Sequence, residues 1–357
     1  MGKKIVLTGG GTAGHVTPNL ALLPYLQREG FEVNYLGSYN GIEKRLLEDF
    51  DIPYYGIATG KFRRYFDFQN FSDPFRVLKG FREARKILKE LRPDVLFSKG
   101  GFVSVPVVKA AASLKIPCIL HESDVSPGLA NKLCISSAVK ICCNFPETLQ
   151  ILPAGKAVLT GSPIRDELRE GNPLAAYDLC GFSANKPVIM VIGGSLGSAS
   201  INMTVREALP RLLERFQVVH ICGKDKVDNL MLTIPGYKQF EYLKSELKDI
   251  FSIADMVISR AGANAICELL ALRKPNILIP LQTGSRGDQI LNARSFDEQG
   301  FSIVIREDYL DCGILLEKIS ELYDNKQIFI DRMKASKQMD SISTIMRLIL
   351  EACGSKA

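Results

Sequence analysis

The sequence predicts an α/β protein made of two Rossmann-like, doubly wound domains facing a cleft. Three observations predict it. The 357 residues are about two domains' worth at roughly 150 each. Short apolar runs of strand length alternate with helical patterns along the whole chain. Each half also opens with the same unit: an apolar strand, a glycine-rich turn and an amphipathic helix.

The first unit is the strand 5–8, the loop Gly9-Gly10-Gly11-Thr12-Ala13-Gly14 and a helical pattern through Leu26. The second is the strand 188–192, the loop Gly193-Gly194-Ser195-Leu196-Gly197 and a helical pattern through Leu213. Further strands are expected at 31–36, 94–98, 117–121 and 139–144, then at 217–222, 256–259, 276–280 and 301–305. Near-continuous apolar runs suit strands covered on both faces. Parallel strands need right-handed crossovers, which gives the doubly wound arrangement. The pattern breaks over 161–187, where Pro163, Pro173 and Pro187 flank a polar run. Domains are therefore expected at 1–163 and 164–340. In the tail, positions 342, 345, 346, 349 and 350 are apolar and share one helix face. That helix reads first as packing on the second domain, with a return to the first as the alternative.

Composition narrows the class. Apolar residues are 46% and charged residues 24%, which excludes a disordered or fibrous chain. No apolar run reaches the ~18 residues of a membrane-spanning helix. Met1-Gly2-Lys3-Lys4 passes straight into a strand, so no secretory signal is expected. Nine cysteines without a C-x-x-C pair read as reduced thiols of a cytosolic protein.

Charge is concentrated. Residues 61–92 carry ten basic and four acidic side chains, with aromatics at 62, 65, 66, 68, 71, 75 and 81. Val77, Phe81, Ala84, Leu88 and Leu91 form a stripe that reads as core. The remaining cations and aromatics suit an anionic membrane leaflet, where each basic residue contributes about 1 kcal/mol and inserted rings add to it. Nucleic-acid stacking and a merely solvated face are the other readings.

In open α/β sheets ligands bind at the carboxyl ends of the strands. Gly9-x-Gly11-x-x-Gly14 matches the dinucleotide fingerprint, but the second strand ends in Gly37-Ser38-Tyr39 with no carboxylate to hold a ribose. This argues against a nicotinamide oxidoreductase and leaves a loop suited to an anionic or sugar-phosphate group. The loop around Ser195 offers N–H groups and a hydroxyl to a pyrophosphate, without the lysine of a P-loop. Ser259-Arg260-Ala261-Gly262 opens another turn and helix, in which Glu268 is placed to accept from a ribose diol. Beyond the strand 276–280, Asp288 and Gln289 suit sugar hydroxyls. His15 closes the first glycine loop, and His121-Glu122 ends the strand 117–121; imidazoles there suit general-base work. His220 falls inside a strand and reads as core. No D-x-D cluster stands at a strand end, so catalysis without divalent metal and without cofactor is expected.

These motifs together resemble the MurG family of UDP-N-acetylglucosamine transferases, which convert lipid I to lipid II in bacterial peptidoglycan synthesis. The resemblance spans the chain and rests on Gly9–Pro18, Lys99-Gly100-Gly101-Phe102-Val103-Ser104, His121-Glu122, Gly161-Ser162-Pro163-Ile164-Arg165, the Ser195 loop and Ser259-Arg260-Ala261-Gly262. It implies a GT-B fold, with UDP-GlcNAc in the C-terminal domain and an N-terminal domain that docks on the cytoplasmic leaflet and takes lipid I. Carried over by position, Thr12, Ala13 and Gly14 match a donor-side loop, and Arg165 and Ser195 match donor contacts, Ser195 at the pyrophosphate. Leu243 matches a backbone contact to uracil. Ala263 through Glu268 match the phosphate and ribose segment, with Glu268 on the diol, and Gln289 matches a sugar-hydroxyl contact. The implied reaction is inverting transfer of GlcNAc to the C4 hydroxyl of the muramyl sugar, with His15 as base and Glu122 as the alternate. Two departures stand out. Asp124 replaces a common asparagine at a donor contact, and Ala13 replaces a glycine, which a positive φ there would strain. A UDP-GlcNAc epimerase, a glycolipid glucosyltransferase or a UDP-sugar sensor would share the donor site.

Overall fold

The computed structural model describes residues 2–60, 69–194, 197–282 and 287–354. They form two compact units: Met1–Arg165 together with Asp340–Ala357, and Asp166–Met339. The aromatic loop at 61–68, Ser195 with Leu196, and 283–286 lie outside the described residues.

The first unit is built on seven parallel strands: β1 (Lys4–Thr8), β2 (Glu32–Ser38), β3 (Tyr54–Ile57), β4 (Val95–Ser98), β5 (Cys118–Glu122), β6 (Lys140–Cys143) and β7 (Ala157–Leu159). Their order is β3-β2-β1-β4-β5-β6-β7. The chain steps outward from β1 to β3 and then restarts at β4 on the other side, so the strand order reverses between β1 and β4. Alternate residues of β1 feed two cores. Ile5 and Leu7 pack with Leu22, Phe31 and Phe97 on one face. Val6 packs with Leu96, Val107 and Leu120 on the other. The crossovers carry α1 (Thr17–Arg28), α2 (Ile42–Leu46), α3 (Gln69–Leu91), α4 (Ser104–Ser113), α5 (Leu129–Cys134) and α6 (Pro146–Ile151).

The second unit repeats the plan with β8 (Val188–Ile192), β9 (Gln217–Ile221), β10 (Tyr237–Phe240), β11 (Ala254–Ser259), β12 (Asn276–Leu278) and β13 (Ser302–Val304), in the order β10-β9-β8-β11-β12-β13. Here the reversal falls between β8 and β11. Its helices are α7 (Pro173–Cys180), α8 (Ala199–Arg215), α9 (Leu247–Ile253), α10 (Ala263–Ala271), α11 (Asp288–Glu298), α12 (Cys312–Asp324) and α13 (Lys326–Lys334). Ile189, Val191, Met256, Ile258 and Ile277 meet Val205 and Leu209 of α8 in its core.

The last helix, α14 (Ser341–Gly354), belongs to the first unit rather than packing on the second sheet. Ile345, Met346, Leu348 and Ile349 join the Ile5–Leu7–Phe97 core. Each such side chain contributes about 1.5–3 kcal/mol when fully buried. At its first turn the Ser341 hydroxyl donates to the Ser162 carbonyl at 2.8 Å.

His220 is core, as its strand position implies. Its Nδ1 pairs with the Tyr237 hydroxyl at 2.9 Å and its Nε2 with Asn202 Oδ1 at 3.0 Å. Burial, with Arg206 nearby, pushes its pKa down from 6.5 to about 3. The folded imidazole therefore stays neutral while the unfolded one takes a proton near 6.5. Its stabilising contribution is complete above that value and falls as pH drops towards 3, by about 1.4 kcal/mol per pH unit. Calorimetry between pH 7 and 5 should show the melting temperature falling. His220→Gln, which keeps a donor and an acceptor, should remove about one proton's worth of that slope; an unchanged slope would refute the assignment.

Candidate active site

Both glycine loops stand where strand order reverses, at the carboxyl edge of each sheet, which is where doubly wound sheets bind ligands. In the first unit three of the loop's glycines sit against specific neighbours. A Cβ on Gly9 would lie 2.4 Å from the His15 carbonyl oxygen. One on Gly10 would lie 2.6 Å from the Glu43 carboxyl carbon, and one on Gly11 2.4 Å from the Phe102 ring. Gly11 also has φ +85°, a conformation only glycine takes without strain. The loop then tightens into a 3-10 turn, Ala13–His15. Ala13 is thus helical and carries no positive φ, so the expected strain from its side chain does not arise.

His15 is half-buried and held by its own loop. Its Nδ1 is 3.0 Å from the Thr12 hydroxyl oxygen, and the Thr17 hydroxyl donates to the Ala13 carbonyl at 3.0 Å. The turn after β4 closes in beside it. A Cβ on Gly101 would fall 3.1 Å from His15 Nδ1 and 2.2 Å from the Gly10 carbonyl. Thr12, Ala13, Gly14 and His15 therefore share one edge with the segment that follows Lys99.

Glu122 ends β5 and is buried. Its Oε1 accepts from the Ser123 and Asp124 N–H groups at 2.8 and 3.1 Å. Its Oε2 accepts from the Gly128 N–H at 3.0 Å and from Asn131 Nδ2 at 2.8 Å. A carboxylate offers about four acceptor positions, and all are occupied. Burial pushes the carboxyl up from its ordinary value, against the pull of these donors. A base needs a lone pair facing its substrate, so this geometry argues against the expected alternate-base role. Glu122 instead shapes the turn that carries Asp124, whose N–H it holds.

His121 is likewise engaged at both nitrogens. Lys99 Nζ lies 2.8 Å from its Nδ1, and the Gly161 carbonyl 3.0 Å from its Nε2. An ammonium only donates and a carbonyl only accepts, so the ring is neutral with its proton on Nε2. Burial and then Lys99 hold it far below the usual histidine range. Lys99 Nζ also donates to the Ser123 hydroxyl. His121 is a buried strut that ties β5 to the segment leading to Arg165, which is half-buried at the end of the first unit.

In the second unit, Gly197 has φ +67° and a Cβ there would lie 1.9 Å from the Cys222 carbonyl oxygen. Ser198 caps α8 by accepting from the Ile201 N–H at 3.4 Å. Arg260, nearly buried at the end of β11, braces that cap. Its Nη2 donates to Ser198 Oγ at 2.7 Å and pairs with Glu307, and its Nη1 donates to the Ile279 carbonyl at 3.0 Å. Burial opposes ionisation of Glu307, but hydrogen bonds from Arg260 and Ser200 hold its carboxyl below the usual range. Ala263 begins α10 and Glu268 lies half-buried on it. Gln289, at the start of α11, accepts from the Leu281 N–H at 3.0 Å, which fixes its amide. Leu243 follows β10 with its side chain buried, leaving backbone as its functional group. The structure thus brings Ala263, Glu268, Gln289, Gly193, Gly194 and Gly197 to one sheet edge; Ser195 and Leu196 lie outside the described residues. Sequence reasoning missed Glu43, Arg260 and Glu307 as parts of these loops, because each acts on a segment distant from it in sequence.

Comparison with known proteins bears on the whole chain. Residues 5–142 match the glycosyltransferase family 28 N-terminal domain, and 188–348 match the glycosyltransferase family 28 C-terminal domain. The UDP-N-acetylglucosamine–N-acetylmuramyl-(pentapeptide) pyrophosphoryl-undecaprenol N-acetylglucosamine transferase of Lachnoclostridium phytofermentans is 60% identical over 350 residues, covering 98% of this chain and 99% of the relative. The enzyme of the same name from Lachnospira eligens is 60% identical over 348 residues, covering 97% and 98%. Among solved structures, Acinetobacter baumannii MurG matches with a TM-score of 0.79 and 26% identity over 98% of this chain and 99% of that one. Two glycosyltransferase family 28 domains in a GT-B fold, with whole-chain identity of this level, place the chain in the MurG family of UDP-N-acetylglucosamine transferases.

Proposed function

We infer that this chain, as a member of that family, transfers N-acetylglucosamine from UDP-GlcNAc to lipid I, forming lipid II. The observation that carries our reading of the chemistry is His15, placed at the first reversal point and oriented by Thr12. The C4 hydroxyl of the muramyl sugar attacks the anomeric carbon of GlcNAc from the face opposite UDP. As the new C–O bond forms, the bond to the phosphate oxygen breaks and the configuration inverts. With Nδ1 donating to Thr12, the lone pair at His15 Nε2 takes the hydroxyl proton. The departing UDP carries the negative charge. The N–H groups of the Gly193–Gly197 loop, the positive end of α8, Ser195 and Arg165 stabilise it. Leu243 meets uracil through its backbone, and Ala263 through Glu268 line the phosphates and ribose, with Glu268 on the diol. Gln289, Asp124 and the Thr12–Gly14 loop complete the donor contacts.

Docking on the inner leaflet is assigned to α3. Arg82, Arg85, Lys86 and Lys89 line one shallow depression with Phe81, while Phe75 is 76% exposed and Leu78 47%. Ala84 and Leu88 of the same helix are buried, as its apolar stripe implies. Among the described residues no helix is long and apolar enough to cross a membrane.

Substitution of Gly197 tests the donor side. Its backbone and its lack of space both exclude a Cβ, and strain of this kind costs about 1–3 kcal/mol. Gly197→Ala should weaken UDP-GlcNAc binding about tenfold or more by titration calorimetry; unchanged affinity would move the pyrophosphate elsewhere. The reaction itself is tested on the product formed with a lipid I analogue. A new β linkage at C4 of the muramyl sugar supports the reading. An α linkage, or epimerisation of the donor without transfer, would overturn it.

A further inference from the structure

The first glycine loop already holds an anion, and it belongs to the protein. Glu43 is completely buried on α2, which follows β2. One carboxylate oxygen accepts from the Gly11 N–H at 3.2 Å. The other accepts from the Ser38 N–H at 2.9 Å and from the Ser38 hydroxyl. The side chain fits a cradle made by three glycines. A Cβ on Gly10 would lie 2.6 Å from the Glu43 carboxyl carbon, one on Gly41 2.2 Å from its Oε1, and one on Gly37 2.9 Å from its Cγ. Gly10, which reads in the sequence as part of a loop suited to an anionic group, is room for this carboxylate.

We propose that Glu43 is the positioning residue of the first loop: it fills the anion place at Gly11, shuts that place to phosphate, and sets the strand-to-turn path that carries Thr12 and His15. The path is short. Gly11 is bonded to Glu43 and packs on Phe102, and the next residue, Thr12, holds the His15 ring. A carboxylate accepts from three donors at once here, and charge-assisted bonds of this kind are the stronger ones. Glu43 touches no reacting atom. Its role follows from the assignment of His15 as base and deepens that reading. It also gives the two loops opposite electrostatic tasks. The first presents an imidazole to a neutral sugar hydroxyl beside a fixed negative charge, and the second receives the leaving diphosphate.

The test uses the full chain and acceptor-dependent UDP release, with Glu43→Gln and Glu43→Ala. Glu43→Gln keeps the volume but must turn an amide NH₂ towards N–H donors or lose one of its acceptors. Turnover should fall about 10–100-fold, the scale of an ångström-level misplacement, with the KM for UDP-GlcNAc changing by less than kcat does. Glu43→Ala should fall at least as far, and sodium formate should restore several-fold of the loss where sodium chloride at equal ionic strength does not. A merely structural role would not give formate-specific rescue of turnover. In Glu43→Ala, inorganic phosphate should compete with formate for the vacated cradle and reverse the rescue. Wild-type turnover in Glu43→Gln would overturn the proposal, as would a folded but formate-insensitive Glu43→Ala. Should Glu43→Ala fail to fold, Glu43→Gln alone decides. Failure of the underlying reading looks different: the wild type would release no UDP on adding acceptor, or His15→Ala would retain full turnover.

Discussion

Replacing His15 with alanine should lower turnover by about 10²–10⁴-fold, the range general-base catalysis supplies. The loss should fall on kcat, since His15 is assigned to the acceptor hydroxyl and not to the leaving diphosphate. Donor affinity should therefore stay within a few-fold. Thr12→Val keeps the shape of Thr12 but removes the hydroxyl 3.0 Å from Nδ1. It should give a smaller loss of kcat, because the ring loses its orientation and its preferred tautomer. A modest loss of donor affinity should accompany it, because Thr12 is also assigned to a donor contact. Turnover of His15→Ala within a few-fold of wild type would end the base assignment. Glu122 could not take over the role, since its four acceptor positions are filled by Ser123, Asp124, Gly128 and Asn131.

The second large effect is on membrane docking. Arg82, Arg85, Lys86 and Lys89 share one side of α3. At about 1 kcal/mol per cation near an anionic leaflet, replacing all four with glutamine should remove about 4 kcal/mol. That is roughly a 10³-fold loss of partition into phosphatidylglycerol vesicles, read by co-sedimentation. Salt should erode wild-type binding towards the level of the variant, because exposed charges are screened. Turnover on a short-chain, soluble lipid I analogue should be unchanged. Equal partition of variant and wild type would remove α3 as the docking surface.

The central strands were legible because each is a short, mostly buried segment that carries Val, Ile or Leu. The strands β3, β7 and β10 were not, and all three are sheet edges. β3 contains Gly56, β7 has only three residues, and β10 alternates Tyr237 and Gln239 with the less buried Lys238 and Phe240. These edge strands pair on one side only and carry little apolar covering, which weakens their signal. The fourth edge, β13, lies in the largely apolar run 301–305 and was expected. The apolar face of α14 was plain, but a periodicity names no partner, and the helix packs on the first sheet.

The glycine loops were legible as ligand-bearing turns, since their place after β1 and β8 follows from the strand pattern. Their supports were not. The end of β2 shows no carboxylate, yet Glu43 folds back there from a five-residue helix to bond Gly11. His121 and Glu122 looked alike as edge residues with acid–base chemistry. Only three-dimensional contacts reveal that Lys99 and Gly161 occupy the ring and that a turn occupies the carboxylate.

The measurement that bears most directly on the whole reading is UDP release from UDP-GlcNAc, with and without a lipid I analogue, in the presence of EDTA. Release that depends on the acceptor, persists in EDTA and falls at least 100-fold in His15→Ala is the predicted result. Donor binding without acceptor-dependent release, or release abolished by EDTA, would contradict it.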